Sequence, residues 1–152
     1  MRREISWSKN MFGNTYKLRG NDGKMGQLEI NMMSRGARGS IGGQRYLFRA
    51  KGLFSRNFEM ICTKTGAIIA NIKFNIWGLS VRITTKDNHY TWKHSNFWQT
   101  KWHIKDNESV CVNGSSNGFM LSGSIVFRSS AEQMALAGLF IKNRIVRMNS
   151  GG

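Results

Sequence analysis

The sequence predicts a mainly β domain that closes with one buried helix. Two patterns carry this expectation. Short strand-like runs alternate with Gly, Asn and Asp turns in a chain with 17 glycines and no proline. After Ser129 an apolar run then covers every side of a helix. Evenly spaced short strands with such turns point to a sandwich or barrel.

The strands follow in order. Gln27–Met32 alternates, with Leu28, Ile30 and Met32 on one side and Gln27, Glu29 and Asn31 on the other. Arg45–Ala50, Phe58–Thr63, Ala67–Phe74, Leu79–Thr84, His89–Lys93, Lys101–Lys105, Ser109–Val112 and Phe119–Phe127 are of strand length. The turns between them fall at Gly20–Gly23, Gly36–Gly43, Lys64-Thr65-Gly66, Lys86–Asn88, Asp106-Asn107 and Asn113–Gly118. The clearest hairpin joins Phe58–Thr63 to Ala67–Phe74 through Lys64-Thr65-Gly66. Ser129 with Glu132, and Ser130 with Gln133, fit capping boxes, which places a core helix over about 130–148. Met134, Ala135, Leu136, Ala137, Leu139, Phe140 and Ile141 leave it no polar face, the mark of a buried helix. Lys142, Arg144 and Arg147 come late, where cations complement the helix dipole.

The chain is read as one domain over residues 1–152, long enough for a real core. Lys plus Arg number 23 against 8 Asp plus Glu, a net charge of +15. A field of that sign attracts anionic lipid, nucleic acid or an acidic protein. The longest apolar run, Met134–Ile141, is far short of the ~20 residues that span a bilayer, and the N-terminus lacks a signal core. The expectation is a cytoplasmic chain whose membrane contact is peripheral. Cys62 and Cys111 sit in apolar runs and read as buried free thiols.

Nothing in the sequence has the spacing of an active site. His89, His94 and His103 form no metal-ligand pattern with the cysteines. The eight carboxylates form no evident acid–base pair, and no nucleophile elbow or phosphate-binding loop is present. The domain is therefore read as non-enzymatic, with no metal and no cofactor. Two basic regions remain. Arg35, Arg38, Arg45, Arg49, Lys51 and Arg56 surround a glycine-rich stretch and a strand end, where cations can converge on phosphate. Tyr90–Lys105 mixes Trp92, Trp98 and Trp102 with Lys93, Lys101 and Lys105. Aromatics beside cations can stack bases, but the alternation in this segment favours tryptophans facing the core and solvated lysines.

Residues 44–85, QRYLFRAKGLFSRNFEMICTKTGAIIANIKFNIWGLSVRITT, resemble the tubby C-terminal domain. Ile69–Asn75 followed by Gly78 keeps that family's spacing, and residues 119–143 are similar to its last strand and apolar core helix. LURP-one-related and scramblase proteins share the fold and resemble the chain about as well. The resemblance implies a closed antiparallel β-barrel of about twelve strands around a central hydrophobic C-terminal helix. It also implies binding of anionic phospholipid headgroups, phosphoinositides among them, at a membrane surface. Carried over, the phosphate-binding positions fall on Arg49, Lys51, Arg56 and Lys73; on this reading Leu53 and Phe54, between them in sequence, are expected to enter the membrane interface. Lys73 is a point charge where the family has a forked guanidinium, which favours general over selective headgroup binding. The alternatives are a nucleic-acid-binding basic domain and a scaffold for an acidic protein.

Overall fold

A computed structural model describes residues 1–21, 23–31, 33–52, 56–75 and 80–150, the side chains of Lys24 and Ser150 excepted. The strands are β1 (Arg2–Lys9), β2 (Thr15–Gly20), β3 (Gly23–Ile30), β4 (Ala37–Ile41), β5 (Gln44–Lys51) and β6 (Asn57–Cys62). β7 (Ile68–Phe74), β8 (Val81–Thr84), β9 (His89–His94), β10 (Lys101–Lys105), β11 (Val110–Ser116) and β12 (Ser122–Arg128) follow. Each strand pairs with its sequence neighbours, and β1 closes antiparallel on β12 with Ile5 opposite Ile125. The result is a closed meander of twelve strands, which leaves no unpaired edge.

The helix α1 (Glu132–Ser150) follows a short 3-10 turn, Ser129–Ala131. It threads the barrel, and residues 134–143 are buried without a break. Alternate strand residues point inward to meet it, including Ile5, Leu18, Leu28, Phe48, Met60, Ile72, Val81, Ile104, Val112 and Phe127. Phe140 stacks on Phe48 with centroids 4.4 Å apart and meets the edge of Phe58 at 5.2 Å. The Trp92 indole N–H donates to the Gly138 carbonyl at 3.2 Å. Burial on all sides explains why the helix shows no polar stripe.

Two glycine-bearing segments expected as turns are strand instead. Ala37–Ile41 forms β4, and β11 runs on through Asn113 and Gly114 to Ser116. In both, the glycine makes room for the interior. A Cβ at Gly39 would lie 2.9 Å from a Leu136 methyl, and one at Gly114 would overlap the Trp102 ring. These glycines are read from the wall–helix distance rather than from turn chemistry. The Ser129–Glu132 capping box does not form either. The 3-10 turn has no side-chain cap, Ser129 Oγ donates to the Met1 carbonyl at 3.1 Å, and Glu132 pairs with Arg3 at 2.7 Å. Cys111 is buried and free as expected, whereas Cys62, also free, is half-exposed at the end of β6.

The helix gives the barrel a direction. Glu132 lies beside Arg3, at the start of β1. At the far end Asn143 donates to the Tyr16 hydroxyl at 2.7 Å, and Lys142 meets His94 at 2.9 Å. The helix C-terminus therefore emerges at the end of the barrel where β1, β3, β5, β7, β9 and β11 finish and β2, β4, β6, β8, β10 and β12 begin. This end is called the mouth below.

Candidate functional site

The β5–β8 wall carries the expected phosphate-binding positions on its outer face. In β5 the exposed residues are Gln44, Arg45, Arg49 and Lys51, while Phe48 points inward. Lys51 pairs in register with Asn57, Asn57 with Lys73, and Lys73 with Arg82. This brings Lys51, Lys73 and Arg82 into one outward row near the mouth, with Arg56 one residue before Asn57. Like charges directly opposite across strands, as at Lys73 and Arg82, destabilise a sheet unless an anion lies between them. Arg82 was not singled out in the sequence; only its place in β8 reveals it. Arg49 stands apart from the row. It pairs with Glu59 at 2.7 Å, which neutralises it toward a ligand. Leu53 and Phe54 lie outside the described residues.

The basic stretch from Arg35 to Arg56 thus divides. Arg38 and Arg45 line a groove of about 660 Å³ on the outer face of β3–β5, with Glu29 on its wall. Arg35 sits in the β3–β4 connection at the mouth with a left-handed backbone, φ 64°.

The mouth itself holds a feature that the sequence reading missed. Several connections there turn on an asparagine and lift large apolar side chains into solvent. Gly13 N–H bonds the Asn10 carbonyl at 3.0 Å, and between them Met11 and Phe12 are 65% and 95% exposed. Asn31 Oδ1 accepts the Met33 and Ser34 N–H groups at 2.9 and 3.1 Å, beside an exposed Met33. Asn96 Oδ1 accepts from Thr100 N–H and Lys101 N–H at 3.1 and 3.0 Å, holding out Phe97 and Trp98 at 88% and 78% exposure. Asn117 Oδ1 accepts from Leu121 N–H at 3.1 Å, beneath Phe119 at 84%. Side-chain bonds of this kind fix a turn without burying it. Met148, on the emerging helix, adds to the same end. Of the other large apolar residues exposed among the described ones, Met1 and Ile68 lie at the opposite end.

Gln99 and Met120 in these turns, like Arg35, hold left-handed backbones, at φ 59° and 60°. Bulky residues there store strain of order 1 kcal/mol, which persists where surrounding bonds over-determine it. The tryptophans divide accordingly. Trp92 and Trp102 are buried and stacked, with centroids 5.9 Å apart, as the alternation implied. Trp98 is not in the core. It projects from the mouth beside Phe97.

Cations crowd the inner rim. Lys142 is buried, and its ammonium donates to the Gln99 carbonyl at 2.7 Å and bonds His94 Nε2 at 2.9 Å. Among the described residues it forms no ion pair. Burial pushes its pKa down to about 8. Burial, then the neighbouring Lys142 charge, pushes His94 down to about 4, so the imidazole is neutral and Nε2 accepts. Arg144 lies over the Phe58 ring with a buried Nε that has no hydrogen-bond partner among the described residues. Its pKa is lowered by burial and then by the charges of Arg35 and Arg147.

The histidine shift sets a pH dependence. His94 binds its proton more weakly folded than unfolded, so the unfolded chain protonates first as pH falls. Stability is therefore lost as pH drops from the ordinary value of 6.5 toward about 4. His103, lowered by burial and then by Lys93 and Lys105, acts in the same direction. The melting temperature is expected to fall between pH 7 and pH 4.5 and to fall less steeply in His94→Gln, which keeps an acceptor but cannot titrate. Equal slopes in thermal melts of the two proteins would refute this origin.

Comparison with protein-family models, with curated proteins and with solved structures finds no match to this chain. The functional reading therefore rests on the site. Among the described residues no three His, Cys, Asp or Glu side chains gather as a metal site, and no helix is long and apolar enough to cross a membrane.

Proposed function

We propose that this barrel is a non-enzymatic binding domain for anionic phospholipid headgroups, docking mouth-first on a membrane surface. The observation that carries the reading is the coincidence, at one end, of apolar tips on braced turns with a dense set of cations. Met11, Phe12, Met33, Phe97, Trp98 and Phe119 enter the interfacial layer, while Lys51, Arg56, Lys73 and Arg82 meet phosphates behind them. Each cation near an anionic surface contributes about 1 kcal/mol, and apolar tips add to that where they leave water. A tubby-like relationship agrees with this reading and makes phosphoinositides one candidate headgroup, with Arg49 in reserve behind its Glu59 pair. The exposed Phe97–Trp98 pair, with centroids 5.4 Å apart, also suits base stacking and keeps single-stranded nucleic acid as the second reading.

Vesicle co-sedimentation at physiological salt separates the two. The protein is expected to bind vesicles containing phosphatidylserine or phosphoinositide and to leave neutral vesicles unbound. Lys51→Glu with Lys73→Glu changes the local charge by about 4, so binding should weaken by about 100-fold or more while the melting temperature holds. Unchanged vesicle binding in the double variant would reject the phosphate row. Tryptophan quenching by single-stranded oligonucleotide, without vesicle binding, would move nucleic acid ahead.

A further inference from the structure

A cleft of about 280 Å³ opens at the mouth between the helix and the β1, β2, β11 and β12 ends. Its wall is apolar and largely from the core, with Trp7, Tyr16, Ile30 and Leu139 at its base and Val146 on the helix. Lys9, Lys142 and Arg147 line it as well, and among the described residues no carboxylate does. The exposed Met11 and Phe119 border its opening.

Lys142 gives this cleft chemical meaning. A buried ammonium is costly unless a counter-charge or several hydrogen bonds compensate it. An ammonium has three N–H donors, and among the described residues Lys142 uses two, on neutral acceptors, with no carboxylate in an ion pair. The depressed pKa agrees with an uncompensated charge. A site with an apolar floor, a buried cation and further cations at its lip fits one chemistry: a hydrocarbon chain that ends in an anion. The volume sits at the lower limit of ligand pockets, ~300 Å³, so it suits one chain of moderate length rather than a two-chain lipid.

We propose that the mouth cleft binds a single-chain anionic amphiphile, its chain against Trp7, Tyr16, Ile30, Leu139 and Val146 and its carboxylate or phosphate toward Lys142, Lys9 and Arg147. The proposal rests on the membrane reading only for where such a chain comes from. The cleft is expected to take the monomer from solution without any bilayer. That places the ligand's entry at the same end that meets the membrane, so a chain released from a bilayer would need no passage through bulk water.

The test is titration calorimetry at pH 7 with monomeric dodecanoate and dodecyl phosphate, with dodecanol and dodecyltrimethylammonium as controls. Saturable binding of one molecule per chain is expected for at least one anionic head, about 10-fold or more tighter than for either control. The dodecanoate and dodecyl phosphate arms tell a fatty carboxylate from a phospholipid-derived chain. Val146→Phe, which fills the cleft, should abolish this binding and leave vesicle binding intact. Lys142→Met should erase the preference for an anionic head, which keeps the proposal testable if the first variant folds poorly. Lys51→Glu with Lys73→Glu should do the reverse, losing vesicles and keeping dodecanoate, so the two readings fail separately. No saturable binding, equal binding of the cationic amphiphile, or anion binding unchanged in both cleft variants would overturn the proposal.

Discussion

Replacing Phe12 and Trp98 together with aspartate should lower binding to anionic vesicles by about 100-fold or more without moving the melting temperature by more than a few degrees. The two side chains are 95% and 78% exposed, so the fold loses little when they change. Surface substitutions of this kind usually cost within about 0.5 kcal/mol. At the membrane the situation reverses. Fully burying a large apolar side chain is worth about 1.5–3 kcal/mol, and partial insertion of two yields roughly 2–3 kcal/mol. Two new carboxylates facing an anionic surface remove about 1 kcal/mol each. The same pair of changes at Met1 and Ile68, on the opposite end, should leave binding within about 2-fold, since those residues face away from the bilayer. Equal losses from both ends would refute mouth-first docking.

A second large effect is expected in the core. The Trp102 indole lies between the wall and the helix, with Gly114 on β11 and Gly138 on α1 against its ring. A Cβ at Gly138 would come within 3 Å of two atoms of that ring and 3.1 Å from an Ile104 methyl. Alanine there gains about 1 kcal/mol of helix propensity but overpacks the site at about 1–3 kcal/mol, a net loss. Leucine, which also pushes the Gly138 carbonyl from the Trp92 N–H, is expected to prevent stable folding, given total stabilities of about 5–15 kcal/mol. Trp102→Phe makes room, so in a double-mutant cycle with Gly138→Ala the two changes should couple by about 1 kcal/mol or more in urea melts. Additive losses would show that the helix does not pack against the ring in this way.

The β character, the buried helix and most strand positions from β5 onward were legible in the sequence. Alternation in β3, the Lys64-Thr65-Gly66 hairpin and the uniformly apolar helix report local rules: period two, turn chemistry and burial on all sides. β4 was not legible, because its glycine, Gly39, answers to Leu136, nearly a hundred residues later. The end of β11 carries turn residues for the same reason, with Trp102 as the distant partner. Arg3, which draws Glu132 away from the helix cap, is equally remote in sequence.

For the candidate site, the outward cations of β5 and β7 could be read from strand parity, but their assembly with Arg82 needed the register. The Arg49–Glu59 pair likewise follows only from β5 lying beside β6. The mouth leaves a local signal in the sequence. Asparagine followed closely by large apolar residues recurs at Asn10-Met11-Phe12, Asn31-Met32-Met33, Asn96-Phe97-Trp98 and Asn117-Gly118-Phe119. Each cluster looks like ordinary loop and core residues alone; only the barrel shows that all of them share one end.

Quenching of tryptophan fluorescence by lipids brominated along their acyl chains tests the central claim most directly. Trp98 stands at a mouth tip, whereas Trp7, Trp92 and Trp102 are buried; Trp77 lies outside the described residues, so the measurement is made in a Trp77→Phe background. On anionic brominated vesicles the protein should show a quenched component that Trp98→Phe removes, while the variant still sediments with the vesicles. Sedimentation with no quenching, or quenching unchanged in Trp98→Phe, would contradict insertion of this tip and with it the mouth-first account.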